Sequence, residues 1–199
     1  MTRTKKITNT AILIALITLF MFVPLQFGPV SLAVLLLIPV LVGCQTQGFG
    51  VSVVLGLYTG LLSLVASYTV STSLMRFVFN NPLVSVFPRV MVGVLTFLSY
   101  KLMLRLTSKM KSDKPQILIS SLVSSIVGVV TNTTLVLGLM FGIYNGTNFS
   151  GLTINSALIW TIVTTNSIAE LVVAMIVTPP VTYGIYRANK KKNLTNQSI

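Results

Sequence analysis

Apolar residues run along this chain in six long blocks separated by short polar connectors. The blocks cover about 8–23, 30–44, 48–69, 88–107, 115–144 and 153–186. A membrane span needs ~20 predominantly apolar residues, so the pattern predicts an all-α integral membrane protein with six transmembrane helices. The second block is short and contains Pro39. The fifth and sixth exceed the length of a span and are expected to tilt or to project beyond the bilayer. Residues 1–199 read as a single membrane domain, with 187–199 as a polar tail. Asn81-Pro82 is a turn signal, because proline disfavours the α conformation in the residue before it. A second loop is marked by Gly146 to Gly151, and Lys109 to Lys114 form a charged connector. The basic start followed by an apolar run has the look of a signal peptide. It lacks a clear small-x-small cleavage site and is followed by five more apolar blocks, so it is read as the first span.

Composition sharpens this picture. The 199 residues are 53% hydrophobic and only 8% charged, where a soluble domain usually carries about 25% charged residues. Asp113 and Glu170 are the two acidic residues, and histidine is absent. No Ser–His–Asp set, no intramembrane carboxylate pair and no histidine metal site can be assembled from such a chain. Cys44 is the single cysteine, which excludes an intrachain disulfide and a thiolate cluster. No GxxxxGK[ST] sequence is present, so ATP hydrolysis by a P-loop of this chain is excluded. The expectation is a protein that is not an enzyme, with no cofactor and no metal.

The net charge of +12 is explained by where the charges sit. With six spans both termini share a side. That side receives Arg3, Lys5 and Lys6, then Lys101, Arg105, Lys109, Lys111 and Lys114, then Arg187 and Lys190 to Lys192, which is twelve of the fourteen basic residues. The positive-inside rule makes this side, and both termini, cytoplasmic. The charge then meets anionic lipid, and nucleic acid is not needed as a partner.

A few residues stand out against this background. Arg76 and Arg89 are the two basic residues left on the outer side. An arginine there can snorkel to headgroups, but Arg89 follows Asn80-Asn81-Pro82-Leu83-Val84-Ser85-Val86-Phe87-Pro88, a stiff loop around a guanidinium. A rigid fork of donors suits a carboxylate or phosphate. Glu170 is the carboxylate inside an apolar block, and such a charge costs ~2.5–3.5 kcal/mol at mid-membrane. Asn166 lies four residues earlier, on the same face of a regular helix. Glu170 holds the bundle together, in partnership with Arg89, or faces a ligand, and the two roles are not exclusive. Thr131-Asn132-Thr133-Thr134 places polar groups in the fifth block, for helix–helix hydrogen bonds or for an amide or hydroxyl ligand. Small residues one turn apart, Ala11/Ala15, Gly56/Gly60 and Ser121/Ser125/Gly128, mark close helix approach.

These segments carry a resemblance. The run Asn80 to Gly93, with Thr131-Asn132-Thr133, Asn166-Ser167-Ile168-Ala169-Glu170 and the Ala11-x-x-x-Ala15 pair, resembles the substrate-binding S component of energy-coupling factor (ECF) vitamin transporters. Pantothenate-type members are nearest in appearance, and riboflavin-type members next. The resemblance implies a vitamin-binding protein in the cell membrane of a Gram-positive bacterium. It implies docking on two ABC-type ATPase subunits and a transmembrane scaffold subunit, and toppling in the membrane to deliver the vitamin inward. The expected substrate-binding set is Arg89, Asn81, Asn132, Asn166, Glu170 and Arg76, and the expected docking pair is Ala11 and Ala15. A different class, a proton-coupled secondary transporter using Glu170, is disfavoured because 199 residues without an internal repeat leave little room for two rocking halves.

Overall fold

A computed structural model of the chain describes residues 3–22, 26–27, 30–31, 34–69, 78–110, 112–149, 152–153 and 156–195. The order of elements is α1 (Arg3–Phe22), β1 (Gln26–Phe27), β2 (Val30–Ser31), α2 (Val34–Thr46), α3 (Phe49–Thr69), α4 (Pro82–Ser85), α5 (Phe87–Leu106), α6 (Asp113–Tyr144), β3 (Asn148–Phe149), β4 (Leu152–Thr153), α7 (Ser156–Ile162), a π-helical turn (Val163–Ser167) and α8 (Ile168–Thr195). The protein is an all-helical multi-pass membrane protein. Among the described residues four helical stretches are long and apolar enough to cross a bilayer, and α1 and α2 carry shorter apolar helices. Thirteen residues make α2 about 20 Å long, less than a ~30 Å hydrocarbon core, and Pro39 removes a donor from its interior.

The six sequence blocks map onto α1, α2, α3, α5, α6 and α8. The sixth departs from expectation. It opens with β4 and the short α7, and passes through the π turn before α8 begins. β1–β2 and β3–β4 are two-residue antiparallel ladders, and β2 lies against the π turn.

Helix order follows from contacts: α5 packs on α6, α6 on α8, α3 on α5, and α2 touches α1, α3, α5, α6 and α8. Lys190 and Tyr186 near the end of α8 reach Asp113 at the start of α6, and Gln116 of α6 donates to the Leu104 carbonyl of α5. The basic residues of α8 and of the facing ends of α5 and α6 therefore gather at one end of the bundle, the cytoplasmic end by the positive-inside rule.

Between lipid-facing helices there is little hydrophobic driving force, so close van der Waals packing and small residues decide which surfaces meet. Gly56 and Gly60 of α3 serve this purpose. A Cβ on Gly56 would lie 2.5 Å from the Arg89 carbonyl oxygen and 3.0 Å from Val90 Cα, and one on Gly60 would lie 2.7 Å from Val86 Cα. Gly93 answers from α5, packed against the Ser52 carbonyl. Ser85 donates to the Gly60 carbonyl at 3.1 Å. The segment that carries Arg89 is thus pressed onto α3 by backbone contact. The bundle centre is an apolar layer of Leu37, Leu41, Val92, Val129 and Ala174. Cys44 is buried with Ile17, Val40 and Leu55, a packing role.

Because backbone atoms cannot yield as a flexible side chain can, Gly56→Val is expected to cost about 1–3 kcal/mol and lower Tm by roughly 2–10 °C. Gly138, with open space around its Cα, provides the control. Gly138→Ala should leave the melt unchanged or raise it slightly.

Candidate functional site

Three residues singled out in the sequence stand one turn above the apolar layer, on the side away from the basic end. Arg89 precedes Val92 by three residues, Asn132 follows Val129 by three, and Glu170 precedes Ala174 by four. Val92, Val129 and Ala174 share one packed cluster, so each polar residue stands one helical turn outward from a common floor.

Local structure aims Arg89. Asn81 is extended at φ −82°, ψ 117°, and its Oδ1 accepts from the Leu83 backbone N–H at 3.0 Å, which caps α4. Pro82 occupies the first turn of α4 and Pro88 that of α5, where a missing N–H costs nothing. The Arg89 guanidinium turns back across this junction. Its Nη1 donates to the Val84 carbonyl at 3.2 Å, and its Cζ stands 4.7 Å from the centre of the Phe79 ring. Most of its donors remain for another partner.

Glu170 is 9% exposed, in the first turn of α8. It and Arg89 feel each other's charge, yet no salt bridge closes between them. The salt bridge found among the described residues is Lys190–Asp113, at the basic end. The Asn132 Oδ1 is buried and accepts no hydrogen bond. A buried acceptor left unpaired costs roughly 1–3 kcal/mol. Asn166 lies in the π turn, so the step from Asn166 to Glu170 crosses a junction between two helical geometries. π turns are often found at functional sites. Arg76 lies outside the described residues. Ala11 and Ala15 lie on an exposed face of α1 that also carries Ile7 and Leu19.

Residues 5–182 match the family described as ECF transporter, substrate-specific component. The chain belongs to that family. No curated protein matches it. An ECF substrate-specific component is a transport subunit, not an enzyme, and the six-helix membrane fold accords with that.

On the other side of the floor lies a polar cluster that sequence reasoning passed over. Gln45 Oε1 accepts from Ser121 Oγ and from Thr182 Oγ1, both at 2.6 Å. Its Nε2 donates to Ser124 Oγ at 2.9 Å and to Ser125 Oγ at 3.1 Å. One amide thereby ties α2 to α6 and α8. The serines were visible in sequence as small residues for close packing. Their service as hydrogen-bond partners needed Gln45, a residue 76 positions away from Ser121.

Two substitutions separate the polar groups that hold the bundle from those that do not. In the ligand-free protein, Gln45→Leu should lower Tm, since it strands Ser121 and Thr182 hydroxyls. Asn132→Leu should leave Tm unchanged or raise it, because the acceptor it removes has no partner. Thermal melts of both purified variants check this.

Proposed function

We propose that the chain is the vitamin-binding subunit of an ATP-driven importer and that pantothenate is its substrate. The observation carrying this reading is a polar layer that the protein itself leaves incompletely paired: an Asn132 Oδ1 buried without a partner, a nine-tenths buried Glu170 with no salt bridge to Arg89, and an Arg89 fork with donors to spare. Inside a membrane bundle such groups are costly without a partner. A small ligand with a carboxylate, hydroxyls and an amide supplies partners of the right kind. The carboxylate goes to Arg89, and its O–H and N–H donors go to Asn132 and Glu170. Asn166, Arg76 and the remaining amide donors of Asn81 complete the proposed set on the outer side. Riboflavin, or another vitamin such as folate, would call for more ring-stacking surface. The Phe79 face is taken by Arg89 and Trp160 is 68% exposed, which favours the less aromatic ligand.

Delivery inward requires partners, since the chain has no ATPase motif. Two ABC-type ATPases and a transmembrane scaffold subunit are the proposed ones, with α1 docking through Ala11 and Ala15 and the subunit toppling to release its vitamin. The exposure of both alanines supports this, because small residues let a second helix approach closely. The second reading, a proton-coupled carrier, rests on the buried Glu170 alone.

Calorimetry with candidate vitamins tests the substrate. Loss of one buried charge-assisted hydrogen bond, ~1.5–3 kcal/mol, corresponds to roughly 10–150-fold in affinity. Arg89→Ala should therefore weaken pantothenate binding at least tenfold with little change in Tm, and Arg89→Lys should restore only part. Unchanged affinity would remove Arg89 from the site.

Ala15→Trp should abolish transport by the assembled importer and leave binding intact. Equal loss of both would make the pair internal packing. Uptake into liposomes separates the classes: the chain alone should accumulate nothing on a proton gradient, and accumulation without the ATPase module would establish the secondary carrier instead.

A further inference from the structure

A groove of about 300 Å³ opens at the basic half of the bundle, away from the proposed vitamin site. Its walls are apolar: Leu16 and Phe20 from α1, Pro39 and Val42 from α2, and Val181 and Ile185 from α8. Its polar lining consists of Asn9, Thr46 and Gln47. Thr46 ends α2 and Gln47 follows it, and Asn9 lies near the start of α1, so all three sit toward the cytoplasmic end. A cleft that is apolar along its length and polar at the headgroup end has the profile of an amphiphile.

Two further observations define that amphiphile's head. Gln47 is 5% exposed, and its Oε1 is buried with no hydrogen-bond partner. An orphan acceptor in such a place calls for an O–H or N–H donor, which an acyl chain cannot supply. Exposed Lys6 stands one turn before Asn9 on the same face of α1, and of the two acidic residues in the chain Asp113 is paired with Lys190 while Glu170 lies at the other end of the bundle. The rim is therefore cationic, at the leaflet where anionic lipid is concentrated.

We propose that this groove between α1 and α8 binds one anionic phospholipid, with an acyl chain along the apolar walls and a hydroxyl-bearing headgroup against Lys6, Asn9 and Gln47. The groove-facing side of α1, with Leu16 and Phe20, is distinct from the Ala11/Ala15 face. The lipid reading therefore stands or falls independently of the vitamin and of the docking pair.

Native mass spectrometry of the full chain, released from nanodiscs with equal amounts of dioleoyl phosphatidylglycerol and dioleoyl phosphatidylcholine, tests it. Phosphatidylglycerol has both the charge and the hydroxyl donors, and phosphatidylcholine has neither. One phosphatidylglycerol should remain bound per chain, in at least about fivefold excess over phosphatidylcholine. Lys6→Gln should reduce that preference about fivefold, the weight of one basic residue near an anionic surface. Leu16→Trp and Ile185→Trp fill the groove from opposite walls, and each should abolish the retained lipid. Should one of them fail to fold, the other and the surface variant Lys6→Gln give the same readout. Equal retention of the two lipids overturns the proposal, as does an undiminished phosphatidylglycerol in a folded tryptophan variant. If such a variant keeps its lipid but no longer associates with the ATPase–scaffold module, the groove belongs to a scaffold helix instead.

Discussion

A polar group buried in a helical bundle that is surrounded by lipid has to find its partner inside the protein, because the hydrocarbon offers none. This constraint is met and unmet in adjoining layers of the same molecule. On the cytoplasmic side of the apolar floor, Gln45 is engaged at both ends of its amide by Ser121, Ser124, Ser125 and Thr182. On the other side, Asn132 Oδ1 is buried with no partner and Glu170 closes no salt bridge, beside an arginine that is only partly used. The satisfied layer binds helices to one another. The other layer leaves the Asn132 acceptor unpaired.

The floor between them explains how both layers coexist. Leu37, Leu41, Val92, Val129 and Ala174 come from α2, α5, α6 and α8 and pack as one cluster. Moving one turn outward from three of them reaches Arg89, Asn132 and Glu170. Moving inward leads to Gly128 and to Thr96 and Thr178, whose hydroxyls are also buried without a partner, and then to Gln45 and its serines, where the pairing is complete. Gly128 admits Leu41 and Thr96 against the α6 backbone, so the small residues of α6 bring the helices close enough for a single glutamine to span them.

Arg89 shows how backbone packing positions chemistry. Gly56 and Gly60 let α3 meet the start of α5 without side chains between, and Ser85 pins the α4–α5 junction to the Gly60 carbonyl. Asn81, Pro82 and Pro88 set the turn that leads into it. With its backbone held on α3 and its head held by Val84 and Phe79, the guanidinium keeps its direction without an ion pair to Glu170. An arginine paired fully with that carboxylate would have little left to offer a ligand.

By itself the sequence determined the six apolar helices of the bundle, the side on which most basic residues collect, the exclusion of most catalytic chemistry, and the isolation of Arg89, Asn132 and Glu170 against an apolar background. Those properties follow from local composition: span length, charge asymmetry and the rarity of polar residues in lipid all act within one segment. The Gly56/Gly60 pair likewise announced a close contact, because a small-xxx-small face has meaning on a single helix. Tertiary structure alone decided what that face met, that Asn81 Oδ1 is spent as a cap, and that Asn166 falls in a π turn instead of on a regular helix. It alone made Gln45 the partner of serines 76 to 80 positions away. The reason is common to all of these: whether a buried polar atom is satisfied depends on which helices are neighbours, and neighbours are chosen by packing between segments that share no local pattern.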